Sequence, residues 1–171
     1  MKKLIAVGCF LALFSLSAMA ADYPKAEVFG GYQYTHLEGT GSSNGFNFAV
    51  NGNLNEWLGI AVDIGAAYKS EGGVHFSNYT YTFGPVMSLR ANKSYTPFVH
   101  ALIGGDHASA SVGSVSDGAN GFALIAGGGV DWNIAPRLAV RAVEADWMLA
   151  HGSGGTSSKN YRISTGVVFR F

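Results

Sequence analysis

The chain has 171 residues, with 11 acidic and 11 basic side chains, 24 glycines, 11 phenylalanines, 8 tyrosines, 3 tryptophans and one cysteine. That length allows one domain of ordinary size, roughly 100–200 residues. The basic residues do not cluster, which excludes nucleic acid as a partner because phosphate binding needs a concentrated basic face. The lone Cys9 excludes a disulfide framework and a cysteine-based metal centre.

Residues 1–20 have the organisation of an export signal. Lys2 and Lys3 precede an apolar run from Leu4 to Leu16, and Ser17-Ala18-Met19-Ala20 ends in the small-x-small pattern that a signal peptidase cuts. Cleavage is expected after Ala20, leaving residues 21–171 as one domain. A lipoprotein cut before Cys9 is the alternative, and it would leave most of the apolar run unused. Loss of Lys2 and Lys3 leaves nine basic residues against eleven acidic ones, a net charge of −2. No later segment approaches the roughly 20 apolar residues of a spanning helix, so any spanning must be done by strands.

From Lys25 onward the hydrophobic period is two, the signature of strands. The pattern predicts strands at 25–37, 45–54, 57–69, 79–90, 95–108, 120–133, 138–151 and 159–171. In the third, Leu58, Ile60, Val62, Ile64, Ala66 and Tyr68 share one parity, while Gly59, Ala61, Asp63, Gly65 and Ala67 share the other. Connections alternate between short ones near Asn55, 91–93 and 135–137 and longer Gly/Ser-rich ones at 38–44, 70–78, 109–119 and 152–158. An even number of strands with short turns at one end and longer loops at the other is the pattern of outer-membrane barrels.

One face is bulky and apolar and the other is mostly small, which inverts the expectation for a soluble sandwich. Small inward residues let eight strands close into a barrel just wide enough for its own side chains, and closure pairs every backbone group, as hydrocarbon requires. Aromatic residues gather near the strand ends: Tyr32, Tyr34, Tyr68, Tyr79, Trp147 and Tyr161 towards the long loops, and Tyr95, Trp132, Phe169 and Phe171 towards the short turns. The fold expected is all-β, an eight-stranded antiparallel up-and-down transmembrane β-barrel. A soluble lipocalin-like binding barrel is the alternative, and it requires the apolar face to lie inside.

The segments Glu27-Val-Phe-Gly-Gly-Tyr-Gln-Tyr34, Thr96-Pro-Phe-Val-His-Ala-Leu-Ile-Gly-Gly105 and Tyr161-Arg-Ile-Ser-Thr-Gly-Val-Val-Phe-Arg-Phe171 resemble the small outer-membrane barrel domains related to OmpA and OmpX. The resemblance spans essentially all of residues 21–171. It implies a bacterial outer-membrane location, lipid as the surrounding partner, and passage through periplasmic chaperones and the barrel assembly machinery. It also implies that Tyr161, Ile163, Val167, Phe169 and Phe171 carry the C-terminal assembly signal. With Phe171 as the last residue, no peptidoglycan-binding domain is expected, and the barrel is expected to be a monomer.

Charges of inward parity are Glu27, Asp63, Arg90, Asp106, Asp131, Asp146, Arg162 and Arg170, together with His100. A narrow lumen makes unpaired charges costly, so they should pair. Closure predicts a Glu27–Arg170 contact at the seam and an Asp146–Arg162 contact above it. Arg141 and Glu144 have opposite parity, and a β-bulge between them would turn both inward. The network then serves as a structural polar core, or it lines a narrow path for ions or small solutes.

His36, His75, His107 and His151 fall at four hairpin ends on one rim, without the close spacing that marks a metal site. His107-Ala-Ser109 resembles the His-x-Ser element of outer-membrane lipid A deacylases, but Ala110 follows where a polar neighbour is expected and no acid partner is evident. No catalytic residue, cofactor or metal is therefore assigned. The expected role is envelope integrity or surface interaction by a barrel with a largely plugged lumen. A narrow pore and a lipid-modifying enzyme remain the alternatives.

Overall fold

The computed structural model describes residues 23–39, 41–112, 115–152 and 155–171. The export segment and its cleavage point lie outside the described residues. Eight antiparallel strands follow one another in chain order: β1 (Ala26–Leu37), β2 (Gly41–Asn53), β3 (Leu58–Glu71), β4 (Val74–Ser88), β5 (Tyr95–Val112), β6 (Val115–Ala135), β7 (Leu138–Gly152) and β8 (Gly155–Arg170). Each pairs with its neighbours, and β1 pairs with β8, so the sheet is a closed barrel without a free edge. The seam is pinned at its base, where the Lys25 amide donates to the Phe171 carbonyl at 2.7 Å and the Phe171 amide donates to the Ala26 carbonyl at 2.9 Å.

The eight expected strands are all present, but they run further than the hydrophobic pattern at the loop end. In place of connections of seven or more residues, β3 turns into β4 through Gly72 and Gly73 alone, with Glu71 opposite Val74. Both glycines have positive φ, 60° and 79°, as the tight hairpin turn that matches strand twist demands. Gly, Ser and Asn are weak strand formers by composition, yet here the ladder is extended by backbone hydrogen bonds that need no particular side chain. The opposite end keeps its short turns. Between β2 and β3 the Asn55 side-chain carbonyl accepts from the Trp57 and Leu58 amides at 2.9 and 2.8 Å.

Parity decides what meets what. Ile60, Val62 and Ile64 on β3, Tyr81 and Phe83 on β4, and Ile163 and Phe169 on β8 are exposed, while Asp63, Thr80, Thr82, Arg162 and Ser164 between them are buried. A continuous apolar exterior of this extent is foreign to a soluble monomer, whose apolar patches rarely pass a few hundred Å². The lipocalin alternative falls here, because it needs the reverse arrangement. The inner face is not uniformly small: Ala61, Val86, Phe98, Leu102, Ile125 and Met148 pack along one wall, and Phe29, Ala139 and Val168 form a second cluster.

Candidate functional site in the barrel lumen

The charged side chains singled out from the sequence meet inside this cylinder. At the base, Arg170 Nε donates to Glu27 Oε1 at 2.7 Å, and Arg90 Nη2 donates to Glu27 Oε2 at 2.9 Å. Asn51 and Asn53 also donate to Glu27 Oε2, each at 3.2 Å. Glu27 and Arg170 are register partners across the β1–β8 seam. Arg170 further lies 3.6 Å from Asp131 Oδ2, and its Nη1 donates to Asn133 Oδ1.

The middle layer is built on the irregularity between Arg141 and Glu144, where the β7–β8 register shifts; β6 and β7 shift at Val130/Asp131. One extra residue on β7, three steps from Arg141 to Glu144 against two from Gly166 to Ser164, turns Arg141 inward together with Glu144 and Asp146. Arg141 Nε donates to Asp131 Oδ1 at 2.8 Å, and its Nη1 lies 2.5 Å from Glu144 Oε2. The guanidinium lies between two aromatic faces, 4.3 Å from the centroid of Phe29 and 4.1 Å from that of Phe98. Such stacking suits a planar, weakly hydrated cation and not an ammonium.

Above it, Arg162 is 1 % exposed and holds two strands at once. Its Nη1 donates to Asp63 Oδ1 at 2.8 Å and its Nε donates to Asp146 Oδ2 at 2.8 Å, while Nη2 lies 3.6 Å from Glu144 Oε1. Asn47 donates to the other oxygen of Asp63 at 2.8 Å. His100 Nε2 meets Asp146 Oδ1 at 2.8 Å. Glu27, Asp63, Asp131, Glu144 and Asp146 thus face Arg90, Arg141, Arg162 and Arg170, with His100 as the fifth basic group.

Gly127 makes the His100–Asp146 bond possible. It is the register partner of His100 on one side and of Asp146 on the other, so the two side chains reach each other across it. A Cβ there would lie 2.0 Å from Asp146 Oδ1. Gly127→Ala is expected to break this contact and to destabilise the barrel by about 1–3 kcal/mol through overpacking, read as a lower urea midpoint in lipid vesicles. An unchanged midpoint would contradict the packing described.

His100, Glu144 and Asp146 form the one grouping of metal-ligand type among the described residues. Arg141 and Arg162 already lie against its carboxylates, so guanidinium charge stands where a cation would. Asp106 also points inward but sits in the mouth, lining recesses with Asn120 and Asn160. The sequence reading missed the aromatic sandwich of Arg141. Its signal was present: Phe29 shares parity with Glu27, and Phe98 with His100.

Space in the lumen is graded. The recess among Glu27, Phe29, Asp63, His100, Arg141 and Glu144 holds about 30 Å³, room for a water molecule or two. The mouth is wider, with recesses of about 260 Å³ along Asn78, Ala108 and Asp117 and along Asp106, Asn120 and Thr156. On the rim, His107 Nδ1 bonds Asn120 Oδ1 and Ser109 Oγ bonds Ser77 Oγ, both at 2.8 Å. His107 and Ser109, both on β5, thus bond to opposite neighbours, β6 and β4.

A closed eight-stranded barrel with an apolar exterior and a charged, filled interior defines an integral outer-membrane protein. The chain belongs to the outer membrane protein beta-barrel domain family, whose model matches residues 6–171. Its fold is similar to that of Ail, the attachment invasion locus protein of Yersinia pestis, in complex with the heparin analogue sucrose octasulfate: 20% identity, TM-score 0.64, covering 87% of this chain and 99% of that one. It is similar to Neisserial surface protein A at 16% identity and TM-score 0.64, covering 85% and 96%. OprG from Pseudomonas aeruginosa is similar at 10% identity and TM-score 0.60, covering 88% and 97%. No curated protein matches the sequence.

Proposed function

We propose that the protein is a monomeric, non-enzymatic and non-conducting barrel that supports the envelope and acts through its outer rim. The observation that carries this reading is the filled middle layer: Arg162 and Arg141 close the section between Asp63, Asp131, Glu144 and Asp146, and apolar side chains occupy the facing wall. An ion crossing there would have to displace paired charges, and small barrels generally fill their interior with side chains. The separation of His107 from Ser109 by their different partners supports the non-enzymatic part.

In planar bilayers the purified protein is expected to give no steady openings above background. Reproducible ohmic steps would overturn this reading and favour the narrow pore. Among the described residues, the outer rim also shows no cationic cluster of the kind a sulfated polymer would need. Lys69 and Lys159 are its lysines, 2.6 Å from Glu71 and 3.5 Å from Glu38, with Asp106 and Asp117 nearby in the mouth. Weak contacts along short hairpins suit this end better than polyanion capture.

Lipid is the proposed permanent partner, and chaperones and the assembly machinery are the transient ones. Tyr161, Ile163, Val167, Phe169 and Phe171 all face outward along β8 and its end, with Thr165 as the one polar residue in the row. That stripe is proposed to be read before the β1–β8 seam closes. Phe171→Ser is expected to lower the amount of folded protein in the outer membrane several-fold while refolding in detergent stays normal. Equal loss in both settings would show a folding defect and not a lost signal.

A further inference from the structure

Four of the five histidines share an arrangement that the lumen does not use. His36, His75, His107 and His151 lie on four different hairpins, one on each, all at the loop end of the barrel. Each bonds through Nδ1 to its direct register partner on the adjoining strand: Ser42 at 3.1 Å, Ser70 at 2.8 Å, Asn120 at 2.8 Å and Thr156 at 2.7 Å. All four have outward parity and so point away from the lumen. They are spread around the circumference and cannot converge on one metal ion.

Their level is fixed by register. His36 is opposite Tyr161 and stacks on it at 4.9 Å; His107 is opposite Tyr79, and His151 is opposite Phe122. Tyr161, Tyr79 and Phe122 are exposed members of the outer aromatic girdle, which marks the membrane–water interface. His75 stands further out, two residues beyond Ser77, which is opposite Tyr68, and four beyond Tyr79 on its own strand. The imidazoles of His36, His107 and His151 are therefore at headgroup depth, continuous with the lipid-facing surface, and that of His75 stands on their outer side.

We propose that these four side chains form a belt that binds the phosphate groups of outer-leaflet lipid through Nε2. Fixing Nδ1 orients the ring and leaves Nε2 as the ring atom for a ligand, that of His107 lying over Gly118. The hydroxyls of Ser42, Ser70 and Thr156 can donate to Nδ1 and keep the proton on Nε2, and Ser42 is already supplied by the Tyr34 hydroxyl at 2.6 Å. His107, whose Nδ1 faces the Asn120 side-chain carbonyl, donates from Nε2 when protonated. Charged groups near the belt are few: the Lys159–Glu38 pair lies by the His36 hairpin, the Lys69–Glu71 pair by that of His75, and inward-pointing Asp106 is next to His107. This inference rests on the reading that lipid surrounds the barrel, and its test separates the two.

The folded protein is placed in nanodiscs of a phosphate-free galactolipid with and without lipid A, and the imidazole ¹⁵N signals are recorded alongside contacts from acyl chains. The Nε2 signals of the four belt histidines are expected to move with lipid A while those of His100 do not. Retention of lipid A over its dephosphorylated form should fall about tenfold in H36N/H75N/H107N/H151N, as expected for losing a net charge-assisted hydrogen bond or so. Asparagine keeps a polar group near the Nδ1 position and so preserves the strand brace. If the quadruple variant does not fold, H75N and H151N, at the two exposed positions, should each lower retention measurably. Unchanged retention in the variants overturns the proposal, as does an equal response of Nε2 to inorganic phosphate in the galactolipid alone. Acyl-chain contacts at Ile64 and Val167 should persist in every arm; their loss would instead remove the lipid placement itself.

Discussion

Arg162→Leu is expected to destabilise the barrel by about 3–5 kcal/mol, the scale for leaving buried partner charges uncompensated. Arg162 is fully enclosed and holds Asp63 of β3 and Asp146 of β7, with Glu144 3.6 Å away. Leucine fills part of the volume but leaves three carboxylates facing one another around His100 and Arg141. Urea titration in lipid vesicles, followed by the heat-dependent gel shift of folded barrels, measures the loss. The companion variant D63N/D146N/R162L, which removes the stranded charges too, should recover more than half of it. A loss below about 1 kcal/mol in the single variant would mean that water or mobile ions serve these carboxylates as well as the guanidinium does.

Ile64→Arg tests the opposite face. Ile64 is central on β3, opposite Phe48 and Tyr81, and half exposed. If that exposure is to hydrocarbon, arginine there should cost about 2–4 kcal/mol, whereas the same change at a rim position costs about 0–1. Ile134, exposed near the short-turn end of β6, is the matched control. The difference between the two sites should appear in vesicles and shrink in detergent, whose belt adapts around a charge. Equal costs at both positions would place the middle of β3 in water.

The strand pattern, barrel closure and inward charges were legible because a period of two ties every side chain to one face. Glu27 and Arg170 follow directly, since chain order puts β1 beside β8 and leaves both residues at the same end. Arg141 required more: its parity was wrong for the lumen, and the register shift before Glu144 restored it. The first strand ends at Leu37 as expected, but the other hairpin ends were misjudged as loops because Gly and Ser mark turns by composition, whereas backbone pairing continues through them from Gly41, to Glu71, from Val74, to Val112 and from Gly155. Partners that lie across the barrel leave no trace in local sequence. The 2.8 Å bond from His100 to Asp146 spans 46 residues and depends on Gly127 lacking a side chain. The shared Nδ1 bonding of the rim histidines was equally hidden, because each hydroxyl or amide partner is set by register and not by spacing.

The most direct test of the central claim, a lipid-facing exterior around a filled interior, is a map of acyl-chain contacts to side-chain methyls in nanodiscs by nuclear magnetic resonance. Val62, Ile64, Ile163 and Val167 should show strong contacts with lipid chains, while Val86, Leu102, Ile125 and Val168 should show none. Contacts at the second set, or their absence from the first, would contradict the assignment of faces on which the whole account rests.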